Sequence, residues 1–148
     1  MRAISPVIAT VIIVAVTLAV AIAVALWMSG LVGGFTGAEN LQIVNAYATP
    51  SGGGWTVYLQ VKNTGTTTAT IDNVFVNGIP YNQISIGNST IALSATLPLS
   101  LSPGNNTAIT LSIPQGSGAV MSFSSGQQVE VKLHSASGKT YPVQVVLP

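Results

Sequence analysis

The chain opens on a long apolar stretch and then changes to an alternating pattern. No ionisable side chain occurs from Ile4 to Leu31, and no charge falls between Arg2 and Glu39. A run of this length exceeds the roughly 20 apolar residues that a helix needs to cross a bilayer. Its Val, Ile and Ala residues leave no polar stripe, which argues against a helix that lies on a surface. The pattern therefore predicts one helix that lipid or other protein encloses on all sides.

Local signals predict both ends of this helix. Ser5-Pro6 is a helix start, since the Ser side chain can cap the first amides and Pro is tolerated at the first helical position. We therefore expect the helix to begin at about Pro6. Near its other end, glycines lower the helical propensity, so the helix is expected to end or become bendable before Glu39. These glycines are Gly30, Gly33, Gly34 and Gly37.

From Leu41 onward the apolar residues recur every second position, as in half-buried strands. The clearest alternations are Trp55 to Val61, Ile109 to Ile113, Val129 to Leu133 and Tyr141 to Leu147. The last is expected to pair with the strand before it across Ser137-Gly138. Turn residues separate seven or eight such strands, which is typical of a sandwich.

The predicted fold class is α+β, with two domains. Residues 1–36 form the hydrophobic α-helix with its glycine neck, and residues 37–148 form an all-β, immunoglobulin-like sandwich head. The Cys and Trp signature of true immunoglobulin domains is absent, so only the broad sandwich class is predicted.

Composition narrows the possible functions. Hydrophobic residues make up 48% of the chain, which argues against disorder. Only 5% of residues are charged and the net charge is +1, so no basic stripe is available to bind nucleic acid. The absence of cysteine removes disulfides, thiolate metal sites and thiol catalysis. We predict neither a cofactor nor a nucleic-acid partner.

The head offers few side chains for catalysis. His134 shares a strand face with Glu130 and Lys132, which is typical of a solvated face. Asp72 lies among strand residues, where a calcium site would need several more oxygen ligands. The sequence therefore predicts no catalytic site, no metal site and no enzyme.

Two triplets match the acceptor pattern for N-linked glycosylation. Asn88-Ser89-Thr90 and Asn105-Asn106-Thr107 both lie in predicted loops or strand ends. Asn88 and Asn105 are therefore candidate glycosylation sites of an exported glycoprotein.

The N-terminal residues carry a family resemblance. Arg2 to Ala9, reading RAISPVIA and followed by a Val/Ile/Ala run, resembles the start of archaeal type IV pilins. The resemblance implies a membrane-inserted precursor that a prepilin peptidase cuts between Arg2 and Ala3, removing a leader of residues 1–2. It also implies that an assembly machinery builds the subunits into an extracellular adhesive pilus. Bacterial type IV pilins carry Glu at the fifth mature position, where this chain has Val7, so subunit registration here rests on packing.

In such a filament the helix would pack against other copies of itself. Two alternatives remain open at this stage: a signal-anchored monomeric binding domain on the cell surface, and an archaellin of a motility filament. The residues predicted to form the polymer core are Ile4, Val7, Ile8, Val11, Ile12, Val14, Leu18, Ile22 and Leu26.

Overall fold

The computed structural model describes residues 4–148, and of Ile4 and residues 31–36 it describes the backbone alone. The chain divides into two compact units after Gly37. The first unit contains one helix, α1, Ile4–Thr36. The second unit, Ala38–Pro148, is called the head below.

The start of α1 differs in detail from the prediction, whereas its end agrees with it. The helix already includes Ile4 and Ser5, so Ser5 does not cap it, and the predicted start at Pro6 is wrong by two residues. Pro6 is tolerated in the first turn because the first amides of a helix have no partner within it. At the other end the helix runs through three of the four glycines and ends at Thr36, before Glu39 as predicted.

The head is built from antiparallel strands of very different lengths. Its strands are β1 (Leu41–Ser51), β2 (Gly54–Asn63), β3 (Ala69–Val76), β4 (Ile79–Pro80), β5 (Ser85–Ile86), β6 (Ser89–Thr90), β7 (Ala92–Leu93), β8 (Leu99–Leu101), β9 (Asn106–Pro114), β10 (Gly116–Ser117), β11 (Ser122–Phe123), β12 (Gln128–Ser135) and β13 (Thr140–Val146). A short 3-10 helix, Tyr81–Gln83, follows β4.

Two sheets form the sandwich. The front sheet has the strand order β1-β2-β9-β7, and the back sheet has the order β13-β12-β3-β4, with β8 also paired to β3. Two small hairpins, β5-β6 and β10-β11, form separate two-stranded sheets. The predicted helix followed by a β-sandwich is confirmed. The strands outnumber the predicted seven or eight because irregular segments between the long strands pair over two or three residues.

Alternate residues of the long strands form the core. On β2, the side chains of Trp55, Val57, Leu59 and Val61 are buried, and those of Val129, Val131 and Leu133 are buried on β12. The Trp55 indole Nε1–H donates a hydrogen bond of 2.7 Å to the carbonyl of Pro148. As predicted, β13 pairs with β12 across the turn at Ser137-Gly138. Strand alternation therefore places the apolar half of each long strand between the sheets.

The turn between β3 and β4 illustrates how local sequence sets strand pairing. Val76 pairs with Ile79, which leaves a two-residue loop of Asn77-Gly78. Both loop residues have positive φ, 50° at Asn77 and 86° at Gly78. A two-residue hairpin loop of type I′ requires that conformation, and Asn-Gly adopts it most readily.

Candidate assembly surface

The side chains of α1 form the largest exposed apolar surface of the described residues, and we call it the assembly surface. Of the nine residues predicted to form a polymer core, Ile4 has its side chain outside the described part. The other eight are each 53–69% exposed. They are Val7, Ile8, Val11, Ile12, Val14, Leu18, Ile22 and Leu26.

The assembly surface extends around the whole helix. Successive helical residues are about 100° apart, so four in a row cover one turn. Val11, Ile12, Ile13 and Val14 are four such residues, and each is 56–62% exposed. Because every direction is apolar, α1 differs from an amphipathic helix, which buries one stripe and solvates the other.

Two polar side chains in the middle of α1 are satisfied within the helix. Thr10 Oγ1–H donates to the Val7 carbonyl at 2.7 Å. Thr17 Oγ1 lies 2.7 Å from the Ile13 carbonyl and 2.9 Å from the Val14 carbonyl. Both hydroxyls bond one turn back, so neither adds an unpaired polar group to the surface. The segment Ser5–Gly30 is long and apolar enough to cross a membrane.

A shallow depression on α1 lies where a small side chain leaves room. Thr10, Val11, Val14, Ala15 and Leu18 line it. Four of the five lining side chains are apolar, and the methyl group of Ala15 is the smallest of them. Small residues at such positions allow a neighbouring helix to approach closely in apolar surroundings.

The predicted solvated face of β12 is confirmed, and the structure adds a partner to it. Lys132 Nζ lies 3.4 Å from Glu130 Oε1, and the side chains are about one-third exposed. His134 Nδ1 lies 2.5 Å from Asp72 Oδ1. These pairs lie at the solvent face of the back sheet, where ion pairs contribute little to stability.

A β-bulge brings Asp72 to His134. His134 pairs with Asn73, whereas Ser135 pairs with Ile71, so Asp72 is an extra residue in β3. The bulge places both Asp72 and Asn73 on the solvent side of the sheet. Sequence alternation alone did not predict this pair. The signal that could have revealed it is the two consecutive polar residues between the buried Ile71 and Val74.

The chemistry available in the head is limited. Within residues 4–148, no three His, Asp or Glu side chains lie close enough together to hold a metal ion. The Phe75 ring meets the His134 ring edge-on, with centroids 6.1 Å apart. The imidazole is thus held by one carboxylate and one aromatic ring, and the absence of enzymatic activity stays a prediction.

Among the described residues, Tyr141 is the titratable group with a clearly shifted pKa. Burial raises the pKa of the Tyr141 phenol, and the nearby Glu39 carboxylate raises it further. A hydrogen bond with the Leu41 backbone acts in the opposite direction. Burial outweighs that bond because it penalises the charged phenolate.

The remaining predicted sites fall in two places. Asn88 lies in the turn between β5 and β6, and Asn105 lies in the turn before β9; both are exposed. Their positions are compatible with glycosylation, and its occurrence stays a prediction. The predicted cleavage site, Arg2 and Ala3, lies outside the described residues.

Comparisons with known proteins do not assign a family. No protein-family model matches the sequence, and no curated protein matches it. The archaellum periplasmic stator protein FlaG from Sulfolobus acidocaldarius is 20% identical, with a TM-score of 0.45, over 72% of this chain and 99% of that chain. The Iho670 flagellar-like filament is 17% identical, with a TM-score of 0.39, over 96% and 98% of the two chains. The secreted serine protease VesC from Vibrio cholerae is 14% identical, with a TM-score of 0.43, over 79% of this chain and 24% of that chain.

These similarities leave the function open. A stator protein, a filament and a protease match at similar values, so the likeness cannot distinguish between their functions.

Proposed function

We propose that the chain is the structural subunit of an extracellular archaeal type IV pilus and polymerises through α1. The observation that carries this proposal is the assembly surface, which is apolar in every direction and free of charge from Ser5 to Gly30. A helix that only packed on its own head would need one apolar stripe. The N-terminal RAISPVIA resemblance supports the same assignment.

The energetics of the assembly surface oppose exposure to water. Full burial of one Val, Leu or Ile side chain contributes about 1.5–3 kcal/mol. Because the eight described polymer-core residues are 53–69% exposed, burial of that remaining surface favours an apolar environment by about 7–14 kcal/mol together. Lipid and a bundle of like helices are similar environments for this surface, so α1 can exchange one for the other.

The length of α1 fits both environments. Its 33 residues span about 50 Å at a rise of about 1.5 Å per residue. That exceeds the roughly 30 Å of a bilayer core, and it allows each helix in a filament to contact several staggered neighbours. In the precursor α1 lies in the membrane. A prepilin peptidase then cuts between Arg2 and Ala3, and the assembly machinery moves the helix into the filament.

The head is the part that the pilus presents to its surroundings. Its solvent-facing residues are mainly hydroxyl and amide side chains, which suit adhesion through neutral contacts and glycans at Asn88 and Asn105. Since Val7 replaces a carboxylate at the fifth mature position, the register between subunits depends on shape. The depression at Ala15 is one place where that shape is defined.

The experiment that tests the proposal is electron microscopy of the purified full chain, with two matched variants. Ala15→Phe keeps the helix apolar, so it remains compatible with lipid, but it fills the depression and should abolish or shorten the filaments. Val120→Phe adds a similar ring on the head, where Val120 is 53% exposed, and should leave the filaments unchanged.

The outcomes separate the rival functions. Detergent would release a signal-anchored monomer as single chains. Such a monomer would form no filaments, and Ala15→Phe would leave its behaviour unchanged. An archaellin would form filaments whose loss stops swimming, whereas loss of an adhesive pilus stops surface attachment. Purified material without filaments refutes the proposal.

A further inference from the structure

The residues that enter the head are bound to the turn directly after β2. We call Ala38–Asn40 the strap. The Ala38 amide donates to Thr66 Oγ1 at 3.0 Å, and the Thr66 amide donates back to the Ala38 carbonyl at 2.8 Å. The amides of Thr64 and Gly65 donate to the Asn40 carbonyl at 2.8 and 3.2 Å. The strap is therefore fixed to the loop that joins β2 of the front sheet to β3 of the back sheet.

The back sheet holds the same strap. Lys139 Nζ donates to the Glu39 carbonyl at 2.5 Å. Tyr141 Oη, at the start of β13, lies 3.5 Å from Glu39 Oε1. The partly buried Tyr141 phenol is also hydrogen-bonded to the Leu41 backbone, directly after the strap. Three consecutive residues are thus tied to both sheets before the first strand begins.

The turn that receives the strap is shaped for close contact. A Cβ atom on Gly65 would lie 2.2 Å from the Ala38 carbonyl oxygen and 2.6 Å from the Asn40 nitrogen. Both distances are far below van der Waals contact, so any larger residue would push the strap away. Glycine is needed here for the approach of two backbones rather than for its φ angle.

We propose that the strap acts as a latch, which transfers tension on α1 into both sheets and protects β1 from being peeled away. The inference rests on the proposed function, because a filament is what places the helix and the head under opposing loads. β1 is an edge strand, paired only with β2 in its sheet. Its first pair, Leu41 with Asn63, directly follows the strap. Without the strap, tension entering at residue 37 would open that ladder one pair at a time.

The latch makes a specific prediction for proteolysis of the full chain in detergent. A glutamate-specific protease has two targets in the head, Glu39 within the strap and Glu130 in the middle of β12. Glu39 should resist cleavage in the unaltered chain. Thr66→Val removes the acceptor of the Ala38 amide, and Lys139→Met removes the donor to the Glu39 carbonyl, so each should raise the cleavage rate at Glu39 about fivefold.

Matched controls accompany these variants. Thr67→Val and Lys62→Met make the same chemical changes at residues that are not partners of the strap, and they should leave the cleavage rate at Glu39 unchanged. Glu130 reports whether the head remains folded, since β12 lies between β13 and β3. If one strap variant is also cut at Glu130, its head has unfolded. The cleavage rate at Glu39 in the other strap variant then tests the latch.

Stretching single full chains, held at their two ends, tests whether the strap resists tension. The first opening should occur at lower force in the Thr66→Val/Lys139→Met double variant than in the Thr67→Val/Lys62→Met double variant. Equal forces overturn the proposal, as does rapid cleavage at Glu39 in the unaltered chain. Purified chains that form no filaments refute the pilus proposal but leave the cleavage results valid. Filaments with a readily cut Glu39 refute the latch alone.

Discussion

Asn63 is a fully buried polar side chain, and replacing it by alanine gives a sharp test of the head. Its Nδ2 donates to the Thr67 carbonyl at 2.8 Å and to the Leu101 carbonyl at 2.9 Å. Its Oδ1 accepts from the Gly65 amide at 2.9 Å. Asn63 therefore joins the end of β2 to β8 and shapes the turn that holds the strap. Asn63→Ala removes three hydrogen bonds at once.

The size of the effect follows from what each former partner retains. The Gly65 amide keeps a bond to the Asn40 carbonyl at 3.2 Å, and the Thr67 carbonyl belongs to an exposed residue that water can reach. Each of these losses costs about 0.5 kcal/mol. The bond to Leu101 is buried, and leaving a buried acceptor short of a partner costs about 2 kcal/mol. We expect a total loss of about 3 kcal/mol in the free energy of unfolding of the head.

Thermal unfolding of the full chain in detergent, followed by near-ultraviolet circular dichroism, measures this loss. For a domain of roughly 100 residues, 1 kcal/mol shifts Tm by about 4 °C, so Asn63→Ala should lower Tm by about 12 °C. Asn82→Ala is the matched control, because Asn82 is exposed in the 3-10 helix. A loss below about 1 kcal/mol, or an equal loss in the control, would show that the hydrogen bonds of Asn63 do not stabilise the head by this amount.

Three further predictions concern charge and pH. Burial raises the pKa of Tyr141 above its ordinary value of 10.0, so the folded head retains this proton at a pH where the unfolded chain loses it. Its contribution to stability is full below pH 10 and is lost as pH rises through the folded pKa. Tyr141→Phe should therefore make Tm fall less steeply between pH 9 and 11. An unchanged dependence of Tm on pH would show that the Tyr141 phenol does not cause the fall. Asp72→Asn should lower the free energy of unfolding by no more than about 1 kcal/mol despite the short contact with His134, because both side chains are partly solvated. Denaturant unfolding measures this change, and a loss above about 2 kcal/mol would reveal a structural role for the bulge. Filaments should survive titration from neutral pH to about pH 2, since the side chains of the head include only three carboxylates and one imidazole. Dissociation of the filaments, seen by electron microscopy, would refute this.

Local patterns predicted the main elements because their causes are local. The absence of any polar residue stripe predicted α1, and period-two alternation placed Trp55 and Val129 in the core of their strands. Helix ends are less certain, because several weak preferences compete there. Neighbouring helical residues carried α1 through Gly30, Gly33 and Gly34, although each lowers helical propensity.

The contacts that define the strap and the bulge could not be predicted in this way. Lys139 and Glu39 are 100 residues apart in sequence, and nothing near either of them indicates the other. Nothing in the sequence near Gly65 indicates its role, because that role depends on the approach of Ala38. The two-residue strands were missed for a similar reason. Their pairing depends on the long strands beside them, and they carry no alternation of their own.

The absence of charge along α1 also bears on the electrical work of assembly. Moving one elementary charge through a membrane potential of 100 mV changes its energy by about 2.3 kcal/mol. No side chain between Ala3 and Ala38 would contribute to that work as the helix is drawn outward. Arg2 is the exception, because its positive charge would have to leave a cytoplasm that is negative inside. Cleavage after Arg2 would remove the charge of that side chain, and the new α-amino group of Ala3, which is largely protonated near neutral pH, would become the positive charge at this end of the chain.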